Sequence, residues 1–391
     1  MGGKNNLKFH WNLTSYCLRI LALWPLLRAE SFMSKIFDYG HLIAVGMMAL
    51  QQGLSMLMTC YIKCENFVAA AESIGPMMAL FIALGKICIY RYNKSPLRKL
   101  SISLEECLNN PNSEEYNYLG AYMKYGNIAS TSVFGSILVL MVGYFSLPLM
   151  RSTHELPFLA YYPWNCQNST LGYAISYLHQ VILTSVLACA CSTEFTFVWY
   201  VSHCCARLKV VQDKLRTLSV RNFGRKFGHE LQRVISGIVE IHANVLDLNN
   251  CSDVILINTS FTYIVLLLFL AAVIAICCAG LTITSKTTES TIILLFMVLA
   301  IYYAQQLLFY YLPGDLLAQE TLAVGEAAYA SSWEILDAKH QKTIGLILVR
   351  SKLPPRLLVG NLNPLLMENY MSFLATTASY FTSIRAVTDK D

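Results

Sequence analysis

Charge is what this 391-residue chain has least of: 14% of its residues are Asp, Glu, Lys or Arg, against about a quarter in an average soluble domain. Hydrophobic residues make up 55% and the mean hydropathy is positive. That is more apolar side chain than one globular core can bury, so a water-soluble fold would expose large greasy patches. Also missing are phosphate-binding glycine loops, nucleophile elbows and His-Glu-x-x-His zinc motifs, which leaves an enzyme without support. No cleavable signal is evident, because the apolar stretch Tyr16 to Leu27 is short, broken by Arg19 and lacks a small-residue cleavage site. A myristoylation signal is absent too, since Asn6 stands where Ser or Thr is required.

Cysteine is not scarce, with 13 in the chain, but they are scattered and several lie inside apolar segments, where Cys behaves as a small hydrophobe. The pairs Cys189/Cys191 and Cys204/Cys205 lack the wider spacing that sets two ligands on one metal, and no His cluster completes them. The expectation is no metal and no cofactor. A net charge of +5 might suggest nucleic acid in a soluble protein. Here the basic residues cluster between apolar runs, which is the mark of membrane topology rather than of a nucleic-acid partner.

Seven segments have the roughly 20 mostly apolar residues that a spanning helix needs: 36–61, 67–90, 126–149, 174–202, 257–283, 291–312 and 360–386. The last is the most polar, with Asn361, Asn363, Glu368 and Asn369 at its start, as expected of a helix that lines a pore or cavity. With the N-terminus inside, 23 Lys and Arg fall on the cytoplasmic side and 5 outside. This asymmetry predicts an all-α polytopic membrane protein with a cytoplasmic N-terminus and an extracellular C-terminus.

The predicted organisation is a cytoplasmic segment with a short amphipathic helix (1–35), four spans (36–202) with an extracellular loop at 150–173, a cytoplasmic extension (203–256), two spans (257–312), a cytoplasmic helix (313–359) and the final span with its tail (360–391). The outer loop carries the glycosylation acceptor Asn168-Ser169-Thr170. In 203–255, Leu208, Val211, Leu215, Leu231, Val234, Ile238 and Ile241 recur at helical spacing, and Leu317, Leu322, Ala328, Trp333 and Ile335 repeat the pattern. These inner helices either rest on the bilayer surface or pack together as a cytoplasmic anchor domain for subunit assembly.

Glu194 and Lys86 are the notable ionisable residues at membrane depth, and their places near the inner ends of their spans favour snorkelling to the interface over proton relay. Val142-Gly143-Tyr144 lacks the second glycine of a potassium filter, and Asn363-Pro364 is not followed by the tyrosine of a G-protein-coupled receptor signature. In the outer halves of the spans, Ile74, Met77, Met78, Phe81, Leu140, Gly143, Tyr144, Tyr177, Thr184, Phe296 and Met297 offer a mixture of Met, aromatic, Gly and hydroxyl groups. Together they suit an apolar pocket for a small organic ligand, while for any single one of them ordinary helix packing is the commoner role.

The final third resembles an insect odorant receptor. The resemblance is carried by Gly314, Ala327-Ala328-Tyr329, Trp333, Ser351-Lys352-Leu353-Pro354, Gly360 and Ala378-Ser379-Tyr380-Phe381-Thr382-Ser383-Ile384-Arg385. Leu18 through Pro25, Leu156-Pro157-Phe158 and Tyr162-Pro163-Trp164 agree with it. Arg385 after Ser379-Tyr380 fits the odorant branch better than the related gustatory receptors. The family's co-receptor (Orco) is longer, with a larger outer loop, so this chain resembles a tuning subunit.

The resemblance implies a tetrameric, odorant-gated, nonselective cation channel in the plasma membrane of sensory dendrites, assembled with co-receptor subunits through the cytoplasmic anchor. The last helix would line the pore. Aligning Tyr380-Phe381 with the co-receptor pattern puts the gate positions at Ser383 and Val387, and the polar Ser383 favours a mixed tetramer. The ligand would be a volatile, mostly hydrophobic molecule. A receptor signalling through a G protein and a gustatory-type channel are the alternatives, with a secondary transporter behind them.

Overall fold

The computed structural model describes residues 4–24, 32–62, 67–150, 156–162, 164, 169–220, 228–246, 252–284 and 290–388. The fold is all-α. Twelve helices follow one another among these residues: α1 (Lys4–Ile20), α2 (Phe32–Ile62), α3 (Phe67–Tyr92), α4 (Lys94–Asn109), α5 (Glu114–Met150), α6 (Thr170–Ala188), α7 (Ser192–Val220), α8 (Gly228–Leu246), α9 (Asp253–Thr284), α10 (Ser290–Tyr329), α11 (Ala338–Ser351) and α12 (Met367–Thr388).

Among the described residues, four helical stretches are long and apolar enough to cross a membrane: Ile36–Ile62, Gly126–Ser146, Thr170–Leu218 and Asp253–Gly280. The outward face of α2 shows why water cannot be the solvent. Ile36, Tyr39, Ile43, Met47, Leu50, Leu54, Leu57 and Tyr61 are all exposed at three- and four-residue spacing, a greasy stripe that lipid satisfies and water does not.

The bundle is organised around α7. Every residue from Ala190 to Ala206 is buried, and a helix buried all round belongs at the centre of its fold. It packs against α10, α5, α8 and α9. Phe197 meets Tyr310 and Phe261 at ring separations of 4.7 and 5.2 Å, and Trp199 meets Trp11 of α1 at 5.7 Å. The α6 helix passes into α7 through a 3₁₀ turn, Cys189–Cys191, a tightening that breaks the α register within what would otherwise be one long rod.

Beyond the apolar layer, α5, α7, α8, α10 and α11 build a polar one. Glu320 accepts from Tyr122 at 2.7 Å and from Gln212 at 2.6 Å, and the Arg350 guanidinium caps the Leu246 carbonyl at 2.5 Å. Here α10 continues unbroken to Tyr329 and the chain then turns before α11 starts at Ala338, where the sequence suggested one cytoplasmic helix over 313–359.

The last helix begins at Met367 rather than at 360. Residues Leu358–Val359 and Asn363–Pro364 first pair as a two-residue antiparallel ladder, turned by Gly360 and Asn361 at φ +56° and +61°, a conformation that ends a helix. The α9 helix holds this hairpin, with Asn258 Oδ1 accepting from the Leu358 amide at 2.8 Å and Thr262 Oγ1 donating to the Leu358 carbonyl at 2.9 Å.

Two expectations follow for stability. A Cβ on Gly314 would stand 2.7 Å from the Leu365 carbonyl oxygen, and one on Gly360 would stand 2.7 Å from Leu266 at a left-handed backbone, whereas one on Gly345 meets nothing within 4 Å. Gly314→Ala and Gly360→Ala should each cost about 1–3 kcal/mol, while Gly345→Ala, mid-helix, should stabilise by about 0.5–1 kcal/mol. Thermal melts of the purified protein in detergent would show the opposite signs.

His242 on α8 is buried, with no partner for its Nε2 among the described residues, and burial, with the nearby Arg350 charge, holds its pKa down at about 4. The unfolded chain therefore binds a proton below pH 6.5 that the folded chain refuses down to about pH 4. Stability should fall across that window, and His242→Gln should flatten the fall. Melting temperatures measured from pH 7.5 to 5 would test this.

Candidate functional site

The apolar helices line a partly open cavity of about 160 Å³ between α2, α3, α5, α6 and α10. An apolar void of roughly 150 Å³ is enough to take up benzene. Most of the wall is apolar, with Met56, Leu80, Ile137, Leu140, Leu183 and Leu299 among its residues.

The walls form where small residues leave room. On α3 the lining is Gly75, Pro76, Ala79, Leu80, Ile82, Ala83 and Lys86, one face of a helix at three- and four-residue spacing. On α10 it is Leu299, Tyr302, Tyr303 and Gln306.

The loop before α6 closes one end. Gln180 clamps the Phe158 backbone in both directions, accepting from its amide at 2.9 Å and donating to its carbonyl at 3.1 Å. This holds the Phe158 ring, a lining residue, against Tyr144 at 5.1 Å. Tyr162 donates to Gln52 Oε1 at 2.5 Å, the Tyr161 amide bonds to the Ser55 carbonyl at 3.0 Å, and the Trp164 indole donates to Ser176 at 2.8 Å. These bonds explain the Leu-Pro-Phe and Tyr-Pro-Trp segments: they pin a lid.

At the other end lies an ion pair. The Lys86 ammonium donates to Glu194, whose second oxygen accepts from Thr193 at 3.3 Å. The two side chains are 3% and 1% exposed. This corrects the snorkelling expectation: neither charge reaches an interface, because each finds the other inside the bundle. Beside them the Cys191 thiol and Tyr302 hydroxyl lie 3.1 Å apart, and Gln306 donates to Tyr302 at 2.6 Å.

The sequence-derived candidates divide. Leu140, Tyr144 and Thr184 line the cavity. Met78 and Phe296 border a separate void of about 10 Å³ on the far side of Gly75. Phe81 and Met297 are exposed on the outside of the bundle, and Met77 and Gly143 lie off the cavity wall. Tyr177, also off it, donates to the Phe145 carbonyl at 2.9 Å. The side chains of Ile74, Ser383 and Val387, and all of Asn168, lie outside the described residues. Sequence reasoning missed Lys86, Gln52, Gln306 and Tyr303 as lining residues. The buried amides at membrane depth were the available signal, since polar groups there mark sites.

Among the described residues one group has metal-binding donors close together: Cys107, Glu115 and His203, all within 4.8 Å. Their chemistry is that of an ion-pair network. His203 Nε2 bonds to Glu115, and Arg207 pairs with Asp253 at 2.6 Å beside them. Burial, then the Glu115 charge, pushes the Cys107 thiol up to about 12, away from the thiolate that a metal requires.

The architecture is thus a helical membrane bundle with a partly open, largely apolar cavity. Comparison with known proteins fixes its kin. The family described as 7tm Odorant receptor matches residues 66–378, and the chain belongs to that family. Odorant receptor 10 of Aedes albopictus and Odorant receptor 30a of Drosophila melanogaster are each 34% identical over 77 residues, 20% of this chain and 20% of each of theirs. Odorant receptor Or2 of Anopheles gambiae is 30% identical over a stretch of the same size. The match therefore spans about a fifth of these relatives' length. The olfactory receptor OR5 of Machilis hrabei, solved in complex with eugenol, superposes with a TM-score of 0.80 at 14% identity, over 98% of this chain and 99% of that one. Without eugenol the TM-score is 0.76, over 97% and 98%.

The ion pair generates a stability prediction. Removing one partner of a buried pair leaves an uncompensated charge and costs about 3–5 kcal/mol, whereas replacing both by apolar residues is often neutral. Lys86→Met alone should sharply reduce folded receptor at the cell surface, and Lys86→Met/Glu194→Leu should restore much of it. Surface biotinylation of the three proteins would measure both effects.

Proposed function

We propose that this chain is the odorant-binding, tuning subunit of a ligand-gated, nonselective cation channel, a tetramer completed by co-receptor (Orco) subunits in the plasma membrane of olfactory dendrites. The observation that carries the proposal is the largely apolar cavity of about 160 Å³, within a fold shared with a receptor solved in complex with eugenol. A volatile, mostly hydrophobic molecule fits such a space. The seven crossings, the cytoplasmic N-terminus, the cytoplasmic anchor and an extracellular C-terminus with glycosylation at Asn168 belong to the same reading.

Two features of α12 support its role as the pore helix. Tyr370, Phe373 and Thr377 are buried against the bundle, while Ser372, Thr376 and Ser379 on the opposite face are exposed. A hydroxyl stripe suits a water-filled conduit better than lipid. The helix is also tied to the cavity wall. Tyr370 donates to the Ala304 carbonyl at 3.1 Å, and Ala304 lies between the lining residues Tyr303 and Gln306. Movement of α10 around a ligand is therefore felt by α12, whose gate positions are Ser383 and Val387.

Gating is a population shift: a ligand opens the channel by as much as it prefers the cavity of the open state. Currents from cells expressing the chain with the co-receptor should appear within milliseconds of odorant, without G-protein dependence. Tyr370→Phe should lower the maximal response with little change in surface amount, and Val387→Lys should change conductance and ion selectivity. Unaltered permeation in Val387→Lys would remove the pore assignment.

A further inference from the structure

The cavity holds polar hydrogen that the protein does not satisfy. Gln52 is 3% exposed; its Oε1 accepts from Tyr162 at 2.5 Å, and its Nε2 has no partner among the described residues. Tyr303 is 2% exposed, and its hydroxyl is likewise without a partner. The Lys86 ammonium has three N–H groups, and the one bond it makes among the described residues is to Glu194. All three residues line the same cavity, and they come from different helices, α2, α10 and α3.

Buried polar groups are nearly always hydrogen-bonded, and unsatisfied ones point to a missing partner. Here every unmet group can donate, and two of the three can only donate. The Lys86 charge is already balanced by Glu194, so the missing partner need not be ionic.

We infer that the ligand is a neutral molecule whose apolar body carries a hydrogen-bond acceptor, a carbonyl, ester or ether oxygen, taken by Gln52, Tyr303 or Lys86. The inference rests on the cavity being the odorant site and narrows its chemistry. A hydrocarbon leaves all three donors dry. A carboxylate or an ammonium adds a charge to a site that is already neutral, and burying an uncompensated charge is strongly disfavoured. An alcohol can accept, but it brings a proton that needs its own acceptor, so it should rank behind the matching ketone.

The test uses the chain co-expressed with co-receptor subunits and matched probes: acetophenone against ethylbenzene, 2-heptanone against heptane, isoamyl acetate as an ester, and benzoate and heptylamine as charged controls. Currents should favour each acceptor over its hydrocarbon framework by about tenfold or more in half-maximal concentration, the scale of one hydrogen bond to a buried donor. Benzoate and heptylamine should be silent. At least one of Tyr303→Phe, Gln52→Leu and Lys86→Met/Glu194→Leu should bring the ketone-to-hydrocarbon ratio close to one at normal surface expression. If the double variant fails to reach the surface, the two single variants decide.

A hydrocarbon or charged probe matching or exceeding its neutral acceptor counterpart would overturn the inference. So would silence from every neutral acceptor, or a ratio unmoved in all variants that reach the surface. A cavity-filling Leu140→Trp keeps this separate from the underlying reading. If it leaves every response intact, the cavity is not the odorant site. If it abolishes responses while the donor variants leave the ratio unmoved, the cavity stands and the acceptor class falls.

Discussion

Two charges held out of water, one on α3 and one on α7, set the terms for the rest of the site. At 3% and 1% exposure, Lys86 and Glu194 exist as ions only because each is the other's counter-charge. That need fixes the rotation of α3 against the central helix, and the same rotation turns Gly75, Pro76 and Ala79 toward the cavity. A buried pair is weak evidence for stability, since apolar replacements of both partners often do as well. Its distinctive product is a polar floor under an apolar chamber, which a fully greasy helix interface would not supply.

Four apolar stretches, Ile36–Ile62, Gly126–Ser146, Thr170–Leu218 and Asp253–Gly280, were legible because each is a long run of greasy residues, and length and composition alone identify such runs. Which way the helices face was not. A helix apolar on every side carries little 3.6-residue signal, so the flexible Met77, Met78 and Phe81 stood out on α3 as candidate pocket walls. The cavity instead lies beside the small residues next to them. A void opens where side chains are short, while the large ones fill contacts or meet lipid, as Phe81 does at 48% exposure. On α5 and α6, Leu140, Tyr144 and Thr184 line the cavity, because large and small residues share the wall there.

Several features legible only as resemblance acquire physical reasons. Tyr162 reaches down to Gln52, and Phe158 is clamped by Gln180, so the loop motifs encode a lid rather than a surface. Gly314 lets α10 pass against the Leu365 carbonyl, where a methyl group would stand 2.7 Å away. Gly360 turns the hairpin that delays α12 to Met367. None of this follows from hydropathy. Each depends on a contact between segments far apart in the chain, such as Gln52 with Tyr162 or Gly314 with Leu365, and local pattern does not report contacts of that kind.

The scale of the cavity bears on how it could work a gate. Moving a two-state equilibrium from 1:99 to 99:1 takes about a 10⁴-fold preference for one state. In the proposed mixed tetramer that preference falls on the odorant-binding subunits alone, and each hydrogen bond made better in the open state supplies about tenfold of it, or ~1.4 kcal/mol. The cavity's unmet donors lie on α2, α3 and α10. Among them, Tyr303 stands one residue before the Ala304 carbonyl that receives Tyr370 of α12. A small chamber of this kind acts through chemistry rather than contact area. It needs an acceptor that reaches α10 in one state and misses it in the other.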